Sequence, residues 1–342
     1  MVQMTTALVA RMDSLGDVLM AGPAVRAVAA AHERVVMLAG PRGSEAARLL
    51  PGVDLVLEWQ APWVDFGSPA LTGQHVRHLV RTIRGYAPDR AFIFTSFHQS
   101  PLPLALLCRM AGVEWIGAIS EDYPGTLLDL RHRVPRGIPE PLRALSLVEA
   151  AGGALPPSDG GELRILPVKP VPLELKEAIG KQPFIVFHPG SAVPARRPSP
   201  ARARQMVAAL SRAGHRVVVT GGAAETELTA LVAGDCALDL GGRTGLAELA
   251  AVLADSEVVV APNSGPGHLA AAVGTPVVSL FAPVVPVSAW SPFAGRVTVL
   301  GNHDAPCRAT RSRKCPVPGH PCLDGITDTT LLGAVHQWTG ES

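Results

Sequence analysis

Two carboxylates stand four positions apart in the run Arg11-Met12-Asp13-Ser14-Leu15-Gly16-Asp17-Val18. Asp13 or Ser14 could cap a helix that starts there, because short polar side chains accept hydrogen bonds from free backbone N–H groups. A cap needs only one such residue, which leaves the second acid, beside a glycine that permits close approach, available for chemistry. In a doubly wound sheet the carboxyl ends of strands face the ligand crevice, so an acid there can take a proton from a substrate hydroxyl.

Three other segments pair strand ends with groups that suit an anion or a ribose. His188-Pro189-Gly190-Ser191 is followed by Arg196 and Arg197, whose guanidinium groups bind phosphate oxygens in pairs. Ala261-Pro262-Asn263-Ser264-Gly265-Pro266-Gly267-His268-Leu269 runs from a strand into a helix whose first turn is glycine-rich, and free amides there favour negative charge. The bland alternatives are arginines on a solvated loop and a Pro-Gly turn with a serine cap. Gly221-Gly222-Ala223-Ala224-Glu225 places an acid where ribose hydroxyls are often held, or where an acid only stabilises a helix start. No Walker lysine is present and neither cradle fits the dinucleotide fingerprint, which argues against ATP hydrolysis and hydride transfer. Cys307, Cys315 and Cys322, with His303 and His320, lack the Cys-x-x-Cys spacing of structural zinc, so a packed loop of reduced thiols and no metal is expected.

The elements that must position these groups repeat. Strands are expected at Thr5–Met12, Arg34–Gly40, Val53–Trp59 and Ala91–Ser96, with helices at Asp17–His32, Ser44–Leu50, His75–Arg84 and Pro103–Ala111 between and after them. Periodicity fades over Asp122–Pro141, and after a helix near Ala144–Ala151 again to about Pro172. It restarts with strands Phe184–His188, Arg216–Thr220, Glu257–Ala261 and Val277–Phe281, and a last helix at Thr329–Trp338. Alternating strands and helices imply an α/β protein of two parallel-sheet domains, which 342 residues with 47% apolar content can fill.

Thirty basic and 29 acidic residues leave a net charge of +1, so no long-range field points to nucleic acid or an anionic membrane. Met1–Met12 lacks the features of a signal peptide, and no long apolar run occurs. With an odd set of five cysteines, a cytoplasmic, reducing location is expected.

Taken together and in this order, Asp13-Ser14-Leu15-Gly16-Asp17-Val18-Leu19 with Pro23-Ala24-Val25-Arg26, His188-Pro189-Gly190 with Ala195-Arg196-Arg197, Ser264-Gly265-Pro266-Gly267-His268-Leu269 through Gly274-Thr275-Pro276, and Cys315-Pro316 through His320-Pro321-Cys322-Leu323 resemble the ADP-heptose lipopolysaccharide heptosyltransferase family, glycosyltransferase family 9. The resemblance implies a GT-B fold: two Rossmann-like doubly wound parallel-sheet domains facing across a cleft. Residues 1–165 would bind the acceptor and 166–326 the nucleotide sugar, with 327–342 a helix crossing back to the first domain. It implies Asp17 as the catalytic base and Arg196 as the contact to the donor diphosphate. Ser191 and Arg197 join Arg196 there, as do Ser264, Gly265, Pro266, Gly267 and His268. Glu225 would hold the ribose and Thr244 border the adenine. Arg42, His98 and Gln99 are acceptor-facing candidates by strand-end position alone.

Two departures stand out: Asn263, where the family usually has aspartate, and Pro198-Ser199, where an aromatic is common. The implied activity is inverting transfer of heptose from ADP-heptose to a hydroxyl of a glycan such as the lipopolysaccharide inner core, without metal or cofactor. Partners would be the nucleotide sugar and a glycan or glycolipid acceptor, with peripheral contact to the inner membrane left open, no nucleic acid, and oligomeric state undetermined. Two alternatives remain: a transferase of the same family acting on a small natural product or other glycan, and a non-catalytic nucleotide-sugar-binding protein.

Overall fold

The computed structural model describes residues 5–64, 68 and 70–340; the first four residues of Met1–Met12 and the last two of 327–342 lie outside them. Contacts divide the chain into two compact units, Met1–Leu166 and Pro167–Ser342. Each is built on a six-stranded parallel sheet.

In the first unit the strands are β1 (Thr6–Arg11), β2 (Arg34–Ala39), β3 (Leu55–Glu58), β4 (Arg90–Phe94), β5 (Trp115–Ile119) and β6 (Leu130–His132). Their order across the sheet is β3-β2-β1-β4-β5-β6. The second unit has β7 (Ile185–Phe187), β8 (Val217–Val219), β9 (Leu238–Asp239), β10 (Val258–Pro262), β11 (Val277–Leu280) and β12 (Val297–Leu300). Read from the other edge, its order is β9-β8-β7-β10-β11-β12, the same winding. The chain reverses direction across the sheet between β1 and β4 and between β7 and β10, and such switch points open a crevice at the strands' carboxyl ends.

Central strands read as unbroken apolar runs because helices cover both faces; every residue of β1 and β10 is buried. Leu8, Ala10, Val36, Ile83 and Ile93 belong to one core and Phe187, Met206, Val207, Val260 and Leu280 to the other. Of the segment 327–342, the helix Asp328–Thr339 packs Leu331, Ala334 and Val335 into the second core, and Arg202 ties its start through Asp328 at 2.7 Å. Among the described residues no helix is long and apolar enough to cross a membrane.

Several expected elements shift. The single helix Asp17–His32 is two, Leu15–Met20 and Gly22–Ala29. Pro23 has no N–H to give the preceding turn and its ring crowds the carbonyl four residues back, so the first helix stops at Ala21. β6 lies inside the stretch read as irregular, and β5 and β12 were not anticipated. β6, Leu-Arg-His, is short and mostly polar, β12 is only four residues long, and Gly117 in the middle of β5 weakens its strand pattern.

The loop after β2 buttresses the end of β1. A Cβ on Gly40 would press into the Met12 carbonyl oxygen, whereas one on Gly85 meets nothing within 4 Å. Gly40→Ala should therefore cost about 1–3 kcal/mol of stability by overpacking, while Gly85→Ala, near the end of an exposed helix, should gain up to ~1 kcal/mol from helix propensity. Thermal or urea unfolding of the two variants checks the opposite signs.

Candidate functional site

The chemistry-bearing groups of the first unit converge on Arg11, the last residue of β1, whose side chain is only 2% exposed. Each nitrogen of its guanidinium faces a different carboxylate. Nε lies 2.9 Å from Asp13 Oδ2, an ion-pair contact whose angle falls short of a hydrogen bond. The Nη2 group donates to Asp17 Oδ1 at 3.0 Å and to Ser96 Oγ at 3.1 Å, and Nη1 sits 3.5 Å from Glu140 Oε2. Glu140, itself buried, is shared with Arg143 at 3.5 Å. Three carboxylates thus meet two guanidiniums in a dry pocket.

Burial and the neighbouring charges set the protonation states. Burial pushes the Asp13 carboxyl up despite the neighbouring Arg11 charge, and the Asp17 charge adds to the shift. Burial also pulls Asp17 upward, but Arg11 and the hydrogen bonds from Ser14 outweigh it and hold the group below the usual carboxylate range. Glu140 is raised by burial against the opposing pull of Arg11 and Arg143. Of the two acids in the turn, Asp17 is therefore the one that holds its charge to lower pH. Its Oδ2 accepts from Ser14 N–H at 3.1 Å and from Ser14 Oγ at 2.6 Å.

β4 lies next to β1, and this brings Ser96 and Gln99 beside the turn. Gln99 donates through Nε2 to Asp13 Oδ1 at 2.5 Å and accepts from Ser96 N–H at 3.2 Å, so it is committed to Asp13 rather than open to an acceptor. Arg42 is close enough to Asp13 for its charge to act there, and exposed His98 packs edge-on against Phe97 with ring centroids 5.5 Å apart. Sequence reasoning had no role for Arg11, Ser96, Glu140 or Arg143. Arg11 carried a signal, a charged residue ending an apolar strand; Glu140 and Arg143 carried none.

In the second unit the groups collect at the ends of β7, β8 and β10. His188, directly after β7, is buried; its Nδ1 lies 3.1 Å from Thr220 Oγ1 and its Nε2 3.9 Å from Glu225 Oε2. Burial pushes the imidazole down to about 4, with the Glu225 charge opposing, so the ring is neutral near pH 7. A Cβ on Gly190 would overlap the Glu225 carboxylate; only a bare backbone lets the two segments meet. Glu225 Oε2 accepts from Gly222 N–H at 3.0 Å, and Gly242 N–H bonds Gly221 O at 2.9 Å, which sets the loop carrying half-buried Thr244 against the Glu225 turn.

Arg196 ends a short 3-10 turn, Pro194–Arg196, and half-buried Arg197 follows it. The C-terminal loop braces this turn: Ala195 N–H bonds Arg313 O at 3.0 Å and His320 Nε2 lies 3.3 Å from Ala195 O. Ser191 Oγ accepts from Val193 N–H at 3.3 Å, tightening its own loop. Ser264 precedes the helix Gly265–Ala272 without capping it, since its hydroxyl bonds Pro262 O at 3.2 Å. Ser264, Gly265 and Pro266 are half-buried, whereas Gly267 and His268 are buried, so the last two belong to the wall behind the cradle. Asn263 is buried beside it, and its Nδ2 has no hydrogen-bond partner.

Among the described residues no group of three or more His, Cys, Asp or Glu could hold a metal ion. All five cysteines are free, and burial together with Cys307 and Cys315 pushes the Cys322 thiol up to about 12.

The pattern of the family described as Glycosyltransferase family 9 (heptosyltransferase) matches residues 105–320, more than half of the chain. Lipopolysaccharide heptosyltransferase 3 of Escherichia coli (strain K12) is 36% identical over 83 residues, which are 22% of this chain and 24% of that relative. The chain thus matches about a quarter of the length of that curated protein. A glycosyltransferase family 9 structure from Veillonella parvula superposes with a TM-score of 0.80 at 17% identity, covering 99% of this chain and 98% of the other. The E. coli heptosyltransferase WaaC with ADP-2-deoxy-2-fluoro heptose superposes with a TM-score of 0.70 at 16% identity, covering 97% and 99%. At these identities the structures establish the shared GT-B fold, and the family match, lying over both units, establishes the rest: this chain belongs to glycosyltransferase family 9, the heptosyltransferases.

Proposed function

We propose that the chain is an inverting heptosyltransferase that moves heptose from ADP-heptose to a hydroxyl of a glycan acceptor of the lipopolysaccharide inner-core class. The observation that carries this reading is the Asp17 carboxylate, kept ionised at the end of β1 by Arg11 and Ser14. A general base must be deprotonated and within reach of the proton it removes. Asp17 takes the acceptor's proton while that oxygen attacks the anomeric carbon on the face opposite the diphosphate, and ADP leaves with inversion.

The charge that gathers on the leaving diphosphate is met by Arg196, Arg197 and the N–H groups that open the helix after Ser264. Guanidiniums bind phosphate oxygens bidentately and a helix start presents unpaired donors. Chemistry of this kind draws on no metal and no cofactor. Glu225 and Thr244, brought together by the Gly242-to-Gly221 bond, suit the ribose and adenine of the donor. ADP-heptose is taken as donor by analogy with the E. coli relative whose structure carries ADP-2-deoxy-2-fluoro heptose. A cytoplasmic location is consistent with five free thiols.

Asp17→Asn should leave ADP binding intact and lower turnover by roughly a hundredfold or more. ADP release from ADP-heptose, with and without an inner-core glycan, measures it; near-normal turnover would remove Asp17 from the chemistry. Release with a different acceptor or sugar nucleotide would point to the natural-product or other-glycan transferase, and none under any condition to a binding protein.

Gly190→Ala pushes a methyl into the Glu225 carboxylate and should weaken ADP binding by about tenfold, near 1.4 kcal/mol. Calorimetric titration with ADP alone checks it, and an unchanged affinity argues that Glu225 does not face the nucleotide.

His188 adds a pH dependence. Its folded value of about 4 lies below the ordinary ~6.5, so the unfolded chain binds the proton first. Its contribution to stability is whole above about pH 6.5 and is lost as the pH falls toward 4. Melting curves at pH 7 and 4.5 should diverge less for His188→Asn than for the natural chain.

A further inference from the structure

Ser14 occupies the cap position of the helix Leu15–Met20 but does not behave as a cap. An N-cap serine ordinarily accepts a hydrogen bond from the backbone N–H two or three residues on. Here the hydroxyl accepts no such bond and instead donates to Asp17 Oδ2 at 2.6 Å. The capping runs the other way, from the Asp17 carboxylate to Ser14 N–H at 3.1 Å.

The consequence is a carboxylate enclosed by its own chain. Arg11 holds Oδ1 at 3.0 Å, Ser14 engages Oδ2 twice, and the Asp17 side chain is 14% exposed. Ser14 is half-buried, and among the described residues nothing donates to its Oγ. A hydroxyl has two acceptor lone pairs besides its single donor, so Ser14 Oγ can accept from an incoming hydroxyl while it still donates to Asp17.

We propose that Ser14 is a catalytic residue, the relay through which the acceptor's proton reaches Asp17. The inference rests on the reading of Asp17 as the base. As the acceptor oxygen bonds to the anomeric carbon, its proton passes to Ser14 Oγ and the Ser14 proton passes to Asp17 Oδ2. The bond from the anomeric carbon to the diphosphate breaks, and its electron pair leaves on ADP. Ser14 ends the step neutral and Asp17 protonated; loss of that proton to water restores the site.

The test uses the full chain with ADP-heptose and an inner-core glycan, reading ADP release, with release to water as the same readout if the glycan is not an acceptor. Ser14→Ala should lower kcat by at least about tenfold, toward the low end of what a proton-transfer group contributes. The KM for ADP-heptose should hardly move, and the melting temperature should fall by only a few degrees, the loss of the single hydrogen bond to Asp17. Ser14→Thr, which keeps a hydroxyl, should recover most of the rate. In mixtures of light and heavy water the natural enzyme should give a bowed dependence of rate on deuterium fraction, as two protons in flight require, and Ser14→Ala a linear one.

A Ser14→Ala rate within about twofold of normal, or a linear dependence in the natural enzyme, overturns the relay. A rate loss that tracks a larger fall in melting temperature reduces Ser14 to a structural residue. If Asp17→Asn is dead while Ser14→Ala is normal, only the relay fails; if Asp17→Asn is normal, the base assignment fails with it.

Discussion

The guanidinium of Arg11 is the interaction on which the first unit's chemistry depends. It ends a fully buried strand, and its nitrogens face Asp13, Asp17 and Glu140. Burying three carboxylates without it would cost several kcal/mol each in lost hydration, and a buried cation without them would cost as much. The cluster is tolerable only as a set. Burial raises Asp13 and Glu140, while Arg11 and Ser14 hold Asp17 below the usual carboxylate range. One buried arginine thereby gives two neighbouring aspartates opposite shifts.

The second unit meets negative charge by different means. Its cradle is built from backbone N–H groups at a helix start, glycines that admit close approach, and an imidazole kept neutral by burial. Arg196 and Arg197 stand half-buried on a turn braced by the C-terminal loop through Arg313 and His320. The anion site proposed there would need no excess of positive charge over the chain, whose net charge is only +1. Acid handling and anion handling are thus assigned to separate folded units, each with the same sheet winding.

Where reading the sequence fell short, the reasons are local. Pro23 divides a helix that periodicity alone joins, β6 is three residues with one apolar side chain, and β12 is only four residues long. Gln99 could be placed at a strand end but not aimed, and it turned out to hold Asp13. Gly267 and His268 share a motif with Ser264, yet one turn of helix rotates them into the interior.

The amino-acid sequence by itself determined the two α/β units, the strand ends at which chemistry sits, and the family, since each depends on residues near one another along the chain. Only the tertiary structure decided what surrounds Asp17. Ser96 lies 85 positions from Arg11, and Gln99 lies 86 from Asp13; they meet because β4 is laid beside β1. The Asp13-to-Asp17 turn looked like a helix cap with a spare acid. In the fold it is a carboxylate made ionic by a buried arginine and screened by a serine that has given up its cap, and no spacing along the chain encodes that convergence.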